Sequence, residues 1–122
     1  MKWFKEDDFK CRCKTNNGES CGFDAPKWFK NDVDNARGFA GVPFYLTSAA
    51  RCPIHNKNEG GSETSTHIEA LAVDISYTDT LNMIKIVCGL KDAGFVRTGV
   101  NEKKKFIHAD KSLTKPPAIF KY

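Results

Sequence analysis

Residues 65–74 read Ser-Thr-His-Ile-Glu-Ala-Leu-Ala-Val-Asp, and residues 107–110 read Ile-His-Ala-Asp. His67, Asp74 and His108 are candidate ligands on distant segments, so any fold that uses them must bring those segments side by side. Two neutral imidazoles and one carboxylate suit zinc and leave its fourth position open. Hydrolysis needs that opening, because zinc makes hydroxide available near neutral pH. Strand alternation narrows the options further. In an extended chain Asp74 shares a face with Ala72 and Ser76, while Leu71, Val73 and Ile75 point the other way. On the later segment Phe106, His108 and Asp110 share one face. Small residues beside Asp74 leave room for a ligand cluster.

The chain has 122 residues and is expected to form one domain over residues 1–122. That length buries a core without staples. Hydrophobic content of 40% and charged content of 28% are ordinary for a globular protein. No apolar run approaches the ~20 residues of a membrane span, and the first residues lack the apolar core of a secretory signal. The net charge of +4 is mild and suits an anionic polymer without selecting one. Five cysteines cannot all pair, and free thiols are the expectation where no secretory signal is present. Cys11, Cys13 and Cys21 cluster locally. Three thiolates with no fourth partner nearby, at Cys-x-Cys spacing, do not match the usual zinc-finger pattern, so buried or surface thiols are expected.

Residues 5–23 read as irregular, with a turn at Asn16-Asn17-Gly18. Asp24 is a candidate N-cap for a helix with Pro26 in its first turn and Gly38 as its stop. Trp28, Phe29, Val33, Ala36 and Ala40 form its apolar stripe. Residues 44–48 read as a strand, and 49–66 as a long polar loop hinged at Gly60-Gly61, a length that is usually functional or mobile. Residues 71–77 read as a second strand. Thr78 or Asp79 caps a second helix carrying Leu81, Ile84, Val87 and Leu90, with Gly94 just past its end. Residues 95–100 and 105–110 read as a hairpin. The order predicts an α+β fold with a small, mostly antiparallel sheet and two main helices.

With these elements placed, the motifs resemble the zinc D-alanyl-D-alanine carboxypeptidases, peptidase family M15, which include phage endolysins. The short single-domain phage members are the most similar. The family pattern Ser-x-His-x-x-Gly-x-Ala-x-Asp occurs here at 65–74, with Ala70 in place of glycine. The upstream blocks occur as Ser48-Ala49-Ala50-Arg51, His55-Asn56 and Gly60-Gly61, and the downstream element as Ile107-His108-Ala109-Asp110. The resemblance spans roughly residues 25 to 115. It implies the fold shared by Hedgehog signalling domains and D-Ala-D-Ala peptidases. It also implies Zn2+ on His67, Asp74 and His108, and Arg51 as the residue that contacts substrate. Arginine's planar fork suits a peptide carboxylate or an oxyanion. Ser48, His55 and Asn56 are implied as residues that shape the substrate pocket, each more by hydrogen bonds than by chemistry.

One position departs from the family. Several members carry an acidic general base three residues before the last histidine, where this chain has Lys105. A lysine does not take that proton unless its pKa falls far. Asp110 is the best substitute as that catalytic general base. It lies ~7 Å along the strand from His108, within reach of the metal's water or in position to orient the ligand. Glu63, Glu69 and Glu102 stay open as alternatives.

The expected activity is zinc-dependent hydrolysis of peptide bonds in the peptidoglycan stem or cross-bridge, of D-Ala-D-Ala carboxypeptidase or endopeptidase type. The expected setting is a monomeric bacteriophage lysis or entry enzyme. It would be made in the host cytoplasm and act at the wall, or be carried on the virion, with no nucleic-acid or membrane partner. A zinc-binding domain of the same fold used only for binding is the alternative. The run Lys103-Lys104-Lys105 raises nucleic-acid binding, but such a run is usually a solvated hairpin tip.

Overall fold

The computed structural model describes residues 1–13, 21–62 and 64–122. The turn expected at 16–18 and the carboxylate Glu63 lie outside these residues. A 3-10 turn, Glu6–Phe9, leads into α1, Lys27–Ala40. Then follow β1, Tyr45–Ser48; α2, Pro53–Asn58; β2, Ala72–Ser76; α3, Thr80–Asp92; β3, Arg97–Asn101; β4, Phe106–Asp110; and β5, Ala118–Lys121. The sheet order is β1-β2-β4-β3-β5, antiparallel except for the parallel pair of β3 and β5. The fold is therefore α+β with a mostly antiparallel sheet, as the sequence predicts.

Strand alternation sorts the sheet into two faces. Val73 and Ile75 of β2 and Ile107 and Ala109 of β4 join Phe29, Val33, Ala36, Ile86 and Leu90 of the helices in one buried cluster. The opposite parity carries Asp74, His108 and Asp110 away from that core. The β2–β4 register pairs Asp74 with His108 and Ala72 with Asp110, so the two motif segments meet ligand beside ligand.

Helix boundaries differ from the sequence expectation in instructive ways. Pro26, not Asp24, occupies the N-cap of α1, and Asp24 instead pairs with Lys30 at 2.7 Å. The helix runs through Gly38 and stops at Gly41, whose left-handed φ of 71° ends it. Trp28 stands 46% exposed, so the buried stripe is Phe29, Val33 and Ala36. Helix α3 is capped by Asp79, which accepts from the Asn82 amide. Its buried face is Ile86, Gly89 and Leu90, one step round from the expected stripe, and Leu81 and Ile84 are exposed. The cause is Gly89: a β-carbon there would meet the Ala36 carbonyl oxygen at 2.5 Å, so α1 and α3 touch backbone to backbone.

The loop expected over 49–66 contains α2. Cys52 caps it, its sulfur accepting from the His55 amide, with Pro53 at its first position. The N-terminal residues are not loose. The Asp34 carboxylate accepts the backbone amides of Lys2, Trp3 and Phe4 at 3.0, 2.7 and 3.1 Å, and Phe9 is fully buried in the core. The fifth strand was not expected from sequence. Its Phe120 lies over Gly99, where a β-carbon would sit 2.2 Å from the ring.

Candidate metal centre

His67, Asp74 and His108 converge, with their ligand atoms all within 4.8 Å of one another. Asp74 and His108 come from adjacent strands. His67 comes from a run of turns, residues 64 and 66–70, that ends at Ala70 in a left-handed conformation, φ 61°. That is the family's glycine position, and the backbone there adopts a glycine-like shape even with a methyl group present. Arg51 accompanies His67, because its amide donates to the His67 carbonyl at 3.0 Å.

Hydrogen bonding fixes the role of each ring nitrogen. His67 Nδ1 lies 2.7 Å from the Ala49 carbonyl, which only accepts, so Nδ1 carries the proton. His108 Nε2 lies 2.7 Å from Asp110 Oδ2 and 3.1 Å from Thr66 Oγ1. Asp110 is completely buried and also takes Arg97 Nε and the Ser112 amide on Oδ1, at 2.8 and 3.1 Å. Burial pushes its carboxyl upward. The bonds from His108 and Ser112 and the charge of Arg97 outweigh that and hold it below the usual carboxylate range. An ionised Asp110 fixes the proton of His108 on Nε2.

The two remaining nitrogens face Asp74. His67 Nε2 is 3.2 Å from Asp74 Oδ2, and His108 Nδ1 is 2.9 Å from Oδ1. Each must either take a second proton or direct a lone pair at a cation beside the carboxylate. The donor set is therefore a chemical fit for zinc: two imidazoles of fixed tautomer and one carboxylate. Burial pushes His108 down, but its bonds to Asp110 and Asp74 overcome this and raise it. Burial likewise pushes Asp74 up, and its bonds with His108 and His67 hold it far below the ordinary range.

The cluster opens into a cleft of about 720 Å3. Ser48, Arg51 and His55 line it, as the sequence analysis anticipates. Arg51 Nε is buried and has no hydrogen-bond partner among the described residues. Asn56 is not among the residues lining the cleft. It is 2% exposed and turned inward, Nδ2 donating to the Ser62 carbonyl at 2.8 Å. Gly61 packs against it so closely that a β-carbon would clash at 2.2 Å, so Asn56 fastens the loop rather than lining the cleft.

The acids named for the missing base are also dispersed. Asp110 sits on the side of the His108 ring away from Asp74, with both oxygens occupied, an arrangement that suits orienting the ligand, one of the two roles expected of it. Glu69 is held by the Ser112 hydroxyl at 3.0 Å, and Glu102 faces a separate depression with Lys103. Lys105 lies outside the cleft, its Nζ 5.8 Å from the Tyr77 ring. Among the described residues, the carboxylates lining the cleft are Asp74 and Glu59, the latter 3.4 Å from His55 Nε2 one turn back on α2.

Several contributors escaped the sequence reading. Arg12, Lys104 and Lys115 add positive charge to the cleft wall, and Phe120 and Tyr122 supply an aromatic side. The Phe120 ring centre stands 5.4 Å from that of His108. Burial and the nearby Asp74 charge push the Tyr122 hydroxyl up to about 12, so it remains a neutral donor. The only sequence trace of this side was the alternation Ile119-Phe120-Lys121-Tyr122 after Pro116-Pro117.

A family model described as Peptidase M15 matches residues 2–110, most of the chain and all three ligand positions. The chain belongs to the M15 peptidase family. Membership makes it a peptidase by descent and accounts for the zinc-type donor set, since M15 peptidases are zinc-dependent. None of the curated proteins matches the chain. The match begins at residue 2, so the N-terminal strap bound to Asp34 lies within the family's span. No helix among the described residues of this M15 chain is long and apolar enough to cross a membrane.

Proposed function

We propose that this M15 protein is a zinc metallopeptidase that hydrolyses peptide bonds of bacterial peptidoglycan, in the stem peptide or cross-bridge, and serves as a phage lysis or entry enzyme. The observation that carries this reading is the convergence of His67, Asp74 and His108 at an open, basic cleft. Zinc, when bound, supplies a water nucleophile at neutral pH and polarises the scissile carbonyl. The rest is the work of this chain's own groups. Arg51, with its unpartnered Nε, clamps a substrate carboxylate or the oxygen that gains charge in the transition state. Tyr122 adds a neutral donor to the lining of the cleft. His55, backed by Glu59, moves the proton between nucleophile and leaving amine. Asp110 holds His108 in its ligating tautomer. Arg12, Lys104 and Lys115 match the free carboxylates that wall peptides carry.

A binding-only zinc domain remains the second reading, favoured by the lack of a carboxylate at position 105. Zinc-loaded protein incubated with purified sacculi separates the two. New peptide termini, identified by mass spectrometry and abolished by His67→Ala, are the expected result. Intact sacculi after prolonged incubation with fully loaded protein would overturn the peptidase reading in favour of binding.

A further inference from the structure

Four of the five cysteines meet away from the cleft. Cys11, Cys13, Cys21 and Cys52 have their sulfurs within 4.8 Å of one another, and none of them lines the peptidase site. We propose that these four thiolates form a second, closed zinc site that ties the N-terminal segment to the wall of the cleft. The fourth ligand is what the sequence concealed, for Cys52 lies far along the chain from the other three.

The geometry supports a metal over the rival fates of four thiols. Zinc–sulfur bonds of about 2.3 Å in a tetrahedron set sulfur–sulfur edges near ~3.8 Å, and the cluster needs only slight contraction to reach them. The backbone already fixes the ligand-bearing segments against each other. The Cys11 amide donates to the Phe23 carbonyl at 2.7 Å, and the Ala50 amide to the Phe9 carbonyl at 3.3 Å. Two further amides point at sulfur: Cys52 N–H at Cys11 Sγ, 3.3 Å, and His55 N–H at Cys52 Sγ, 3.4 Å. Amide donors of this kind suit thiolate ligands, whose negative charge they share. No disulfide joins any cysteines among the described residues, and a buried thiol acting as a small apolar group has no reason to gather three others. Four protein ligands leave no open position, which makes the site structural rather than catalytic.

The location gives the site its consequence. Cys52 follows Arg51 directly and caps α2, which carries His55. A helix as short as α2 holds little structure alone. A metal bound at its cap fixes both cleft residues to the strap that begins at Lys2. This proposal does not depend on what the cleft hydrolyses.

Metal counting on the full chain tests it. Protein purified in reductant and dialysed against zinc is expected to hold two zinc ions per chain by elemental analysis. His67→Ala and Cys52→Ser should each hold one, and Cys88→Ser, whose exposed thiol lies outside the cluster, should keep two. So that the outcome does not depend on the folding of Cys52→Ser, the deciding measurement uses His67→Ala reconstituted with Co2+. Intense near-ultraviolet thiolate-to-cobalt absorption with tetrahedral d–d bands supports the cluster. One zinc in the parent chain and none in His67→Ala, a cobalt spectrum without thiolate bands, or disulfides joining these cysteines in the purified protein each overturns it. A failed sacculus digestion leaves these counts untouched, so the two readings fail separately.

Discussion

Replacing Asp110 by Asn separates the two roles open to this acid, orienting His108 and accepting a proton. The amide is nearly isosteric, so packing at this fully buried position is kept. Its oxygen can still accept from Arg97 Nε or the Ser112 amide, now at 2.8 and 3.1 Å. Its NH2 then faces His108 Nε2, 2.7 Å away, and two donors meet. The imidazole escapes by moving its proton to Nδ1, the nitrogen aimed at Asp74, and the lone pair meant for zinc is lost. Loss of such an orienting partner weakens metal binding by about 10- to 100-fold, or ~1.4–2.8 kcal/mol. Zinc affinity measured by chelator competition at pH 7.5, with His67→Ala as the empty-site reference, reads this directly. Activity should recover in large part when zinc is raised to saturation. If Asp110→Asn instead keeps parental zinc affinity and loses turnover at saturating metal, Asp110 is the proton acceptor and the positioning argument fails.

Further outcomes follow from other contacts. Arg51→Ala should retain zinc but lower kcat/KM by about 100-fold, the scale of losing one oxyanion donor; unchanged kinetics on a muropeptide would remove Arg51 from the site. Gly99→Ala places a methyl group against the Phe120 ring and should cost ~1–3 kcal/mol in urea unfolding, with weaker zinc binding as the ring leaves His108; a neutral effect on both would show that β5 does not support the centre. In the metal-stripped protein, the raised His108 stabilises the fold below its unfolded value near about 6.5, and this is lost as pH rises through its folded value. The lowered Asp74 and Asp110 stabilise it above about 3.9, and this is lost as pH falls through their folded values. The urea midpoint of the stripped protein should therefore peak between about pH 4 and 6.5, while zinc affinity rises with pH beyond that window. A midpoint that climbs steadily to pH 8 would contradict the ion-paired cluster.

What the sequence revealed was set by local rules. The parity of Asp74, His108 and Asp110 follows from strand alternation, and the register of β2 against β4 bears it out. The α3 cap at Asp79 and the left-handed Gly94 after it were legible as local chemistry. What remained hidden was relational. The buried face of α3 was set by the close approach of Gly89 to Ala36, which no periodicity in either helix records. Asp110 was visible as an acid near His108, but two of its four partners, Thr66 and Arg97, come from other segments of the chain. The fourth cysteine and the aromatic wall were missed for the same reason, being contributed by distant chain.

The pairing of β5 with β3 also bears on how metal reaches the centre. All three ligands precede β5 in the chain, and Phe120 of that last strand lies against His108. Until that ring settles over Gly99, one flank of His108 stays open. Detachment of the last strand alone would thus leave the ligand set complete and uncovered, with a side open for metal to enter or leave.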